Sequence, residues 1–137
     1  MAKKTAFHNT QQPDLQSILT WGLKVTDFKE LFIVTGHGDV GPDFSTSFPE
    51  DPVAQTRHSL AQMKELIERA GYSLDDIIRT EWTFTKDVNE EQFQQIVEVW
   101  TQFLIDVEVK PAAGTLRYVD RLGTPAMMVE YEFWIAR

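Results

Sequence analysis

The sequence predicts an α+β fold, in which one β-sheet carries two helices on a single face. Five segments show the alternating or continuous apolar pattern of strands, and two show apolar residues at helical spacing with charged residues opposite. Their order is β-β-α-β-α-β-β, and each helix has one apolar stripe to bury. A sheet with both helices on one side satisfies this pattern, so we expect a single domain over residues 1–137.

The first two strands are predicted at residues 18–25 and 31–35. The second is a continuous apolar run with β-branched residues, which is typical of a buried strand. Residues 26–30 between them have the character of a turn, so we expect the two strands to pair as a hairpin. Residues 1–16 are polar and aperiodic, and we expect them to form a loose arm.

Both helices carry start signals. Asp51 is a suitable N-cap and Pro52 suits the first helical position, so the first helix begins there and ends at Gly71. The second helix begins after a cap at Asp87 or Asn89, and its first turn carries two glutamates, which the helix dipole favours.

Three further strands are predicted at residues 77–85, 115–121 and 126–136. A Gly-Thr-Pro turn joins the last two, so we expect them to be neighbours. Glu130 and Glu132 stand two residues apart on the last strand and therefore point to the same face. That face is either exposed to solvent or part of a site.

One face of the predicted sheet is left without helices. The strands carry more apolar and aromatic surface than a monomer ordinarily exposes. We therefore expect this second face to be covered by another subunit. The residues assigned to it are Phe32, Val34, Trp82, Phe84, Tyr131 and Phe133.

Composition argues against several partners and sites. The chain has 21 Asp and Glu residues, 13 Lys and Arg residues and a net charge of −8, which disfavours a nucleic-acid partner. It has no cysteine, and hence no disulfide framework or thiolate chemistry. No apolar run approaches the ~20 residues that span a bilayer, and the first residues lack the apolar region of a secretory signal. We therefore expect no membrane association and a cytoplasmic location.

Residues 36–41 match the dinucleotide-binding pattern Gly-x-Gly-x-x-Gly letter for letter. We reject a nucleotide role, because Pro42 and a non-helical stretch follow where that motif requires a helix N-terminus. The histidines His8, His37 and His58 lack metal-ligand spacing, so we expect no metal and no cofactor. His37 lies where a strand enters a glycine-rich loop, and it is either a site residue or a plain loop histidine.

Glu130 and Glu132 are the best candidates for acid–base chemistry. A glutamate whose pKa rises on partial burial can transfer protons near neutral pH. Arg117 and Arg121, on the strand expected beside them, are candidates for binding a carboxylate in a bidentate way. The alternative is that these four charges pair with one another across the sheet.

Five stretches of the chain match one known family in order. They are Phe-Ile-Val-Thr-Gly at 32–36, the Gln-Thr-Arg helix at 54–63, Ala-Gly-Tyr-Ser-Leu-Asp-Asp-Ile within 70–80, residues 115–122, and Val-Glu-Tyr-Glu at 129–132. Together they resemble the Rid family, the reactive intermediate deaminases, which also carry the label endoribonuclease L-PSP. The resemblance spans nearly the whole chain after residue 18.

This resemblance implies a chorismate-mutase-like homotrimer, whose sheets form a central barrel and whose small-molecule sites lie in the clefts between subunits. The best-known activity of the family is hydrolysis of reactive enamines and imines to keto acids and ammonia. An arginine of the family holds the substrate carboxylate, and a glutamate orders the attacking water. The resemblance makes Glu130 that catalytic glutamate. The ligand-binding residues it implies are Thr35, Gly36, His37, Gly114, Thr115 and Arg121.

The chain departs from the family pattern at several cleft positions. Gly114, or Ala113 under a different alignment, stands where the arginine belongs. Leu19 replaces a tyrosine, Val97 an asparagine and His37 a glutamine. A substrate carboxylate buried without the arginine would cost on the order of 2–5 kcal/mol. We therefore expect either another arginine, from the neighbouring strand or across the interface, or a less anionic ligand.

Two functions stay open from the sequence. The first is an imine or enamine hydrolase with an altered substrate. The second is a non-catalytic member of the family that binds a metabolite or acts like a chaperone. The ribonuclease activity in the family label is disfavoured, because the chain is acidic and shows no basic patch.

Overall fold

Two β-sheets and two α-helices make up the part of the chain that the computed structural model describes, residues 2–137. In chain order the elements are β1 Lys3–Phe7, β2 Gly22–Thr26, β3 Leu31–His37, α1 Pro52–Arg69, β4 Ile77–Thr85, α2 Glu90–Phe103, β5 Ala112–Ala113, β6 Arg117–Val119 and β7 Val129–Ala136. β1 and β2 form a small antiparallel sheet. The main sheet has the order β3-β7-β4-β5, and both β5 and β6 run parallel to β4.

Both helices pack against one face of the main sheet, which confirms the predicted α+β fold. The ring of Trp100 on α2 lies 5.2 Å from that of Trp82 on β4 and 5.9 Å from that of Phe133 on β7. Thr56 of α1 hydrogen-bonds to the hydroxyl of Tyr131 on β7 in the same layer. Burial of large side chains of this kind stabilises the fold by roughly 2 kcal/mol each.

The helix boundaries follow the predicted caps. Asp51 accepts a hydrogen bond from the backbone N–H of Ala54 at 3.0 Å, and Pro52 is the first helical residue. Asn89 caps α2 by accepting from the N–H of Gln92, whose side chain accepts in return from the N–H of Asn89. These local bonds satisfy N–H groups that a helix leaves without partners at its start.

The predicted hairpin of the second and third strands is wrong, because β2 pairs with β1 and β3 pairs with β7. The turn between β2 and β3 is held elsewhere: the backbone N–H groups of Lys29 and Glu30 both donate to the carbonyl of Arg137 at 2.9 Å. This contact directs β3 alongside β7. Residues 1–16 were expected to form a loose arm. Within this segment, residues 3–7 instead form β1 and hydrogen-bond to β2.

The apolar residues assigned to the uncovered face of the sheet face the helices instead. Val34, Phe84, Tyr131 and Phe133 are almost completely buried in the core with α1 and α2. Alternation shows which residues share a face but not which face the helices cover. The prediction that this set needs a second subunit to bury it is therefore wrong.

The open face of the main sheet, opposite the helices, carries charged residues together with a few apolar ones. Its central positions on β4 and β7 are Arg79, Glu81, Glu130, Glu132 and Trp134. On the edge strand β3, Leu31 and Ile33 are about half exposed, at 49% and 55%. The exposed apolar surface of this face is therefore concentrated at one edge.

Candidate functional site

Glu130 lies on the open face of β7, directly beside the glycine that ends the apolar part of β3. A Cβ atom built on Gly36 would lie 3.0 Å from the Glu130 carboxyl carbon, closer than side chains ordinarily pack. Glycine at this position therefore leaves the space that the carboxylate occupies. The pairing of β3 with β7 changes register between Val34 and His37, and this irregularity brings Gly36 against Glu130.

The ring of His37 is oriented by the backbone of its own strand. Its Nδ1 lies 2.6 Å from the carbonyl oxygen of Thr35. A carbonyl only accepts hydrogen bonds, so Nδ1 carries the proton, and in the neutral ring Nε2 is left as an acceptor. The ring of His37 thus has a fixed orientation, with Nδ1 turned towards the backbone of its own strand.

The surroundings of Glu130 raise the pKa of its carboxyl above the ordinary value. Partial burial is the main cause, the neighbouring carboxylate of Glu132 adds to it, and the electrostatic interaction with His37 opposes both. A raised pKa makes the carboxylate a stronger base, which suits the removal of a proton from water.

Four of the predicted site residues line one surface cavity of about 660 Å³, which we call the Glu130 pocket. These are Thr35, Gly36, His37 and Glu130. The loop after β3, the turn before β7 and Gln62 of α1 supply the remaining wall. Of the other predicted residues, Gly114 lines a different cavity, and Thr115 and Arg121 are exposed in the described chain.

Buried polar side chains hold the wall of the Glu130 pocket in place. The fully buried Gln55 on α1 donates to the carbonyls of Phe48 and Ala126, both at 3.0 Å, and accepts from the N–H of Met128 at 2.8 Å. Asp39 accepts from two further backbone N–H groups of the same loop. These bonds tie the loop and the turn to α1.

A second cavity, of about 370 Å³, lies between α2, the segment before β2, and strands β4 and β5. We call it the Trp82 cavity. Its lining is almost entirely apolar and includes Leu19, Val97 and Gly114. The resemblance described above implied a tyrosine, an asparagine and an arginine at these three positions. All three changes therefore meet at one place in the fold.

Two polar atoms in the wall of the Trp82 cavity are buried without a partner among the described residues. They are Trp82 Nε1 and Thr80 Oγ1; both residues line the cavity, but both atoms are enclosed by protein and do not form its surface. Buried polar groups are nearly always hydrogen-bonded, so unpaired ones need an explanation.

An ion cluster that the sequence analysis missed lies next to Gly114. Glu81 on β4, only 6% exposed, pairs with Arg79 on the same strand and with Arg117 on β6, whose Nη2 lies 3.3 Å from Glu81 Oε2. A usable signal was present, because residues 79 and 81 are two apart on a strand and share a face.

The prediction that Arg117 and Arg121 lie on the strand beside Glu130 and Glu132 is wrong. β6 pairs with β4 rather than with β7, so Arg117 is engaged by Glu81. Arg121 lies beyond β6 and donates from Nε to the carbonyl of Leu122. The neighbours of Glu130 and Glu132 across the sheet are Thr83 and Glu81 on β4.

Across residues 2–137, no group of three or more acidic or histidine side chains is arranged to hold a metal ion. Neither α-helix in the described chain combines the length and apolar character that crossing a membrane requires.

Comparison with known proteins relates the chain to a single family. A family model described as endoribonuclease L-PSP matches residues 15–136. A "RutC family protein" of Saccharolobus solfataricus is 30% identical over 101 residues, covering 74% of this chain and 73% of that protein. The 2-iminobutanoate/2-iminopropanoate deaminase of Escherichia coli is 36% identical over 64 residues, 47% of this chain. The chain spans about half the length of that deaminase, 48%.

Solved structures show the same fold. A Rid-family protein of unknown function from Yersinia pestis superposes with a TM-score of 0.83 at 18% identity, covering 98% of both chains. E. coli TdcF with bound serine superposes with a TM-score of 0.65 at 26% identity, covering 97% of this chain and 99% of that one. Since the family match extends over nearly the whole chain and the fold agrees, the chain belongs to the endoribonuclease L-PSP family, also known as the Rid or YjgF family.

Proposed function

We propose that this protein is a homotrimeric hydrolase of imines or enamines that lack a carboxylate, with Glu130 as the base that activates water. The observation that carries the proposal is the Glu130 carboxyl, which is packed against Gly36, lies near His37 and has a raised pKa. A base of this kind next to a cavity is suited to hydrolysis of a polarised C=N bond.

Assembly completes the site in this proposal. The Glu130 pocket and the Trp82 cavity have no lining residue in common. In a trimer of the family type, the Trp82 cavity of one protomer meets the Glu130 pocket of the next and the two form one cleft. The half-exposed Leu31 and Ile33 on the edge strand support this assembly, because contact between subunits would bury them.

The chemistry requires one base and one water molecule. The imine nitrogen first takes a proton from solvent. Water then adds its oxygen to the carbon of this protonated C=N group, and Glu130 takes the proton that the water loses, which gives a neutral carbinolamine. The protonated Glu130 next gives its proton to the nitrogen, ammonia leaves as the C=O bond forms, and the hydroxyl proton passes to solvent. A carboxyl with a raised pKa can serve in both steps near neutral pH.

The lining of the Trp82 cavity supports a change of substrate relative to the E. coli deaminase, whose name specifies two imino acids. Leu19, Val97 and Gly114 place no cation in the wall. The nearby arginines Arg79 and Arg117 are neutralised in part by Glu81. A carboxylate bound here would remain without a partner, at a cost on the order of 2–5 kcal/mol.

A non-catalytic binding role is the second candidate. It is favoured by the same apolar cavity, which has the size and character of a ligand site but contains no charged group of its own. The two candidate functions differ in whether Glu130 catalyses a reaction, and a measurement of turnover distinguishes them.

The test compares two imines that differ by a single carboxylate. An amino-acid oxidase acting on phenylalanine supplies the imino acid, and an amine oxidase acting on 2-phenylethylamine supplies the matching imine without it. We expect the protein to accelerate ammonia release from the second imine at least tenfold more than from the first. Glu130→Gln should abolish the acceleration, whereas Glu132→Gln, on the same strand face, should retain most of it.

If the protein accelerates the hydrolysis of neither imine, the proposed hydrolase activity is overturned and the binding role remains. Light scattering tests the assembly, and a mass near the 15.8 kDa of one chain would overturn the trimer.

A further inference from the structure

Two side chains of α1 form a hydrogen-bonded pair at the wall of the Glu130 pocket. His58 and Gln62 are four residues apart and are therefore neighbours on one side of the helix. The amide nitrogen of Gln62 lies 3.1 Å from Nε2 of His58. Gln62 lines the pocket, whereas His58 does not. The pair thus connects the pocket to a side chain outside its lining.

The loop after β3 holds the ring of His58. The ring packs edge-on against Phe48, with the two ring centroids 5.6 Å apart. The fully buried carboxylate of Asp39 lies 3.7 Å from Nε2 of His58, which is too far for a hydrogen bond. Asp39 instead accepts from the backbone N–H groups of Ser47 and Phe48. The hydrogen-bond partner of Nε2 in the described chain is therefore Gln62.

This contact decides which end of the Gln62 amide is free. An amide nitrogen only donates, so Nε2 of the neutral His58 ring accepts and Nδ1 carries the ring proton. If the amide were reversed, its oxygen would meet a ring nitrogen that has no proton to give. In the described chain, Gln62 Oε1 has no hydrogen-bond partner and is not a buried atom. It is therefore an acceptor that a ligand can reach.

The rest of the pocket lining also favours a ligand that donates hydrogen bonds. The ionised carboxylate of Glu130 only accepts, and no lysine or arginine lines the pocket in the described chain. His37 already uses its Nδ1 proton for the carbonyl of Thr35. A negatively charged acceptor and a neutral one in the same wall suit a positively charged nitrogen that carries N–H groups.

We propose that Gln62 determines specificity in the Glu130 pocket by accepting a hydrogen bond from an N–H group of a cationic ligand, and that His58 is the positioning residue that keeps Oε1 of Gln62 free for it. The inference rests on the proposed function in one respect, since the protonated imine of that hydrolase is such a ligand. A primary ammonium ion offers the same N–H donors without reacting, so binding is measured without turnover.

The experiment uses two cations that differ in their N–H groups. They are 2-phenylethylamine, which is protonated at neutral pH, and its N,N,N-trimethylammonium derivative, which has the same charge and no N–H. Calorimetric titration of the full-length protein should show the primary ammonium binding about tenfold more tightly. Gln62→Leu should remove this preference by weakening the primary ammonium alone. Gln102→Leu, at an exposed position of α2, should change neither affinity.

Variants of His58 test the positioning role. His58→Leu should weaken the primary ammonium nearly as much as Gln62→Leu, because the amide loses the partner that orients it. His58→Gln supplies an acceptor at about the place of Nε2 and should restore most of the preference, a rescue that lost packing alone would not give. His8→Leu, at an exposed position, should have no effect. ¹⁵N spectra of the histidine rings should show a neutral His58 with its proton on Nδ1.

Three outcomes overturn the inference: equal affinity for the two cations, a Gln62→Leu variant that weakens both alike, or a His58 ring that carries its proton on Nε2. Failure of the hydrolase is distinguishable from these. Ammonium binding that depends on Gln62, without turnover of either imine, supports this inference and removes the proposed function. Imine turnover whose KM is unchanged in Gln62→Leu does the reverse.

Discussion

Glu81 and Gly114 share a space that only one side chain can occupy. A Cβ atom built on Gly114 would overlap the carboxyl group of Glu81 and would lie 2.9 Å from Nη2 of Arg79. The glycine is therefore linked to the buried carboxylate and its two arginines. The arginine that the resemblance implies at residue 114, or at residue 113 under a different alignment, cannot simply be introduced at residue 114, because Glu81 already fills the place where its side chain would begin.

Gly114→Ala should destabilise the protein, because the added methyl group displaces the Glu81 carboxylate from its ion pairs. We expect a loss of about 1–3 kcal/mol in the free energy of unfolding, measured by urea denaturation. Gly123→Ala is the matched control, since no atom lies within 4 Å of a Cβ there. In the Glu81→Ala background the effect of Gly114→Ala should shrink. Equal stability of the two alanine variants would refute the overlap.

The raised pKa of Glu130 predicts a specific dependence of stability on pH. The folded-state pKa lies above its unfolded value, so the protonated carboxyl stabilises the fold below the ordinary value of 4.5, and this contribution is lost as pH rises through the folded-state pKa. Glu130→Gln should therefore be more stable than wild type at neutral pH, with a difference that disappears in acid. Urea denaturation across the pH range measures it.

The causes of that shift can be separated by carbon-13 NMR of the Glu130 carboxyl. Glu132→Gln removes the neighbouring negative charge and should lower the pKa of Glu130 without returning it to the ordinary value, since burial is the larger cause. His37→Gln should raise the pKa of Glu130 above its wild-type value, because it removes the interaction that opposes the shift. A carboxyl that titrates at or below 4.5 in the wild type would contradict the prediction.

The buried hydrogen bond between Thr56 and Tyr131 fixes β7 against α1. Thr56 Oγ1 lies 2.6 Å from the Tyr131 hydroxyl and donates to the carbonyl of Pro52 at 2.8 Å. Thr56→Val leaves the tyrosine hydroxyl buried without a partner. It should lower the free energy of unfolding by about 1–3 kcal/mol. Thr101→Val removes a similar hydroxyl–carbonyl bond on α2 and should cost less. Adding Tyr131→Phe to Thr56→Val should recover part of the loss, and a double-mutant cycle measures the coupling.

Gln55 should control the order of the Glu130 pocket wall. Gln55→Leu keeps the side-chain volume but removes three hydrogen bonds to the backbone at Phe48, Ala126 and Met128. We expect the free energy of unfolding to fall by about 3 kcal/mol or more. We also expect faster amide hydrogen exchange around residues 48 and 126–128. Gln95→Leu, at an exposed position of α2, should change neither quantity. Unchanged exchange in Gln55→Leu would contradict this role.

The parts of the fold that depend on neighbours in sequence were predictable. Asp51 and Pro52 start α1, Asn89 starts α2, and the alternation of residues 77–85 gives β4 its observed bounds. Each of these signals acts over four residues or fewer, or over a single strand, so the sequence contains it directly.

Pairing between distant strands was not predictable in the same way. The turn before β3 suggested a hairpin, yet β3 pairs with β7, and the short β6 pairs with β4 although a turn leads from it towards β7. The packing energy that decides such pairings arises between residues far apart in the chain. Glu130, Gly36 and His37 line one pocket, whereas Arg117 and Gly114 lie beside Glu81, on a strand where no site residue was sought.

The position of β7 between β3 and β4 has a consequence for the order of folding. β3 has no strand partner in the described chain until β7 arrives, roughly a hundred residues later, and closing a loop of that size costs considerable entropy. Helix α1 and the β4–α2–β5 unit can form beforehand from closer contacts. We therefore expect insertion of the final strand to be the late event that closes the sheet and, with it, creates the place where Glu130 meets Gly36.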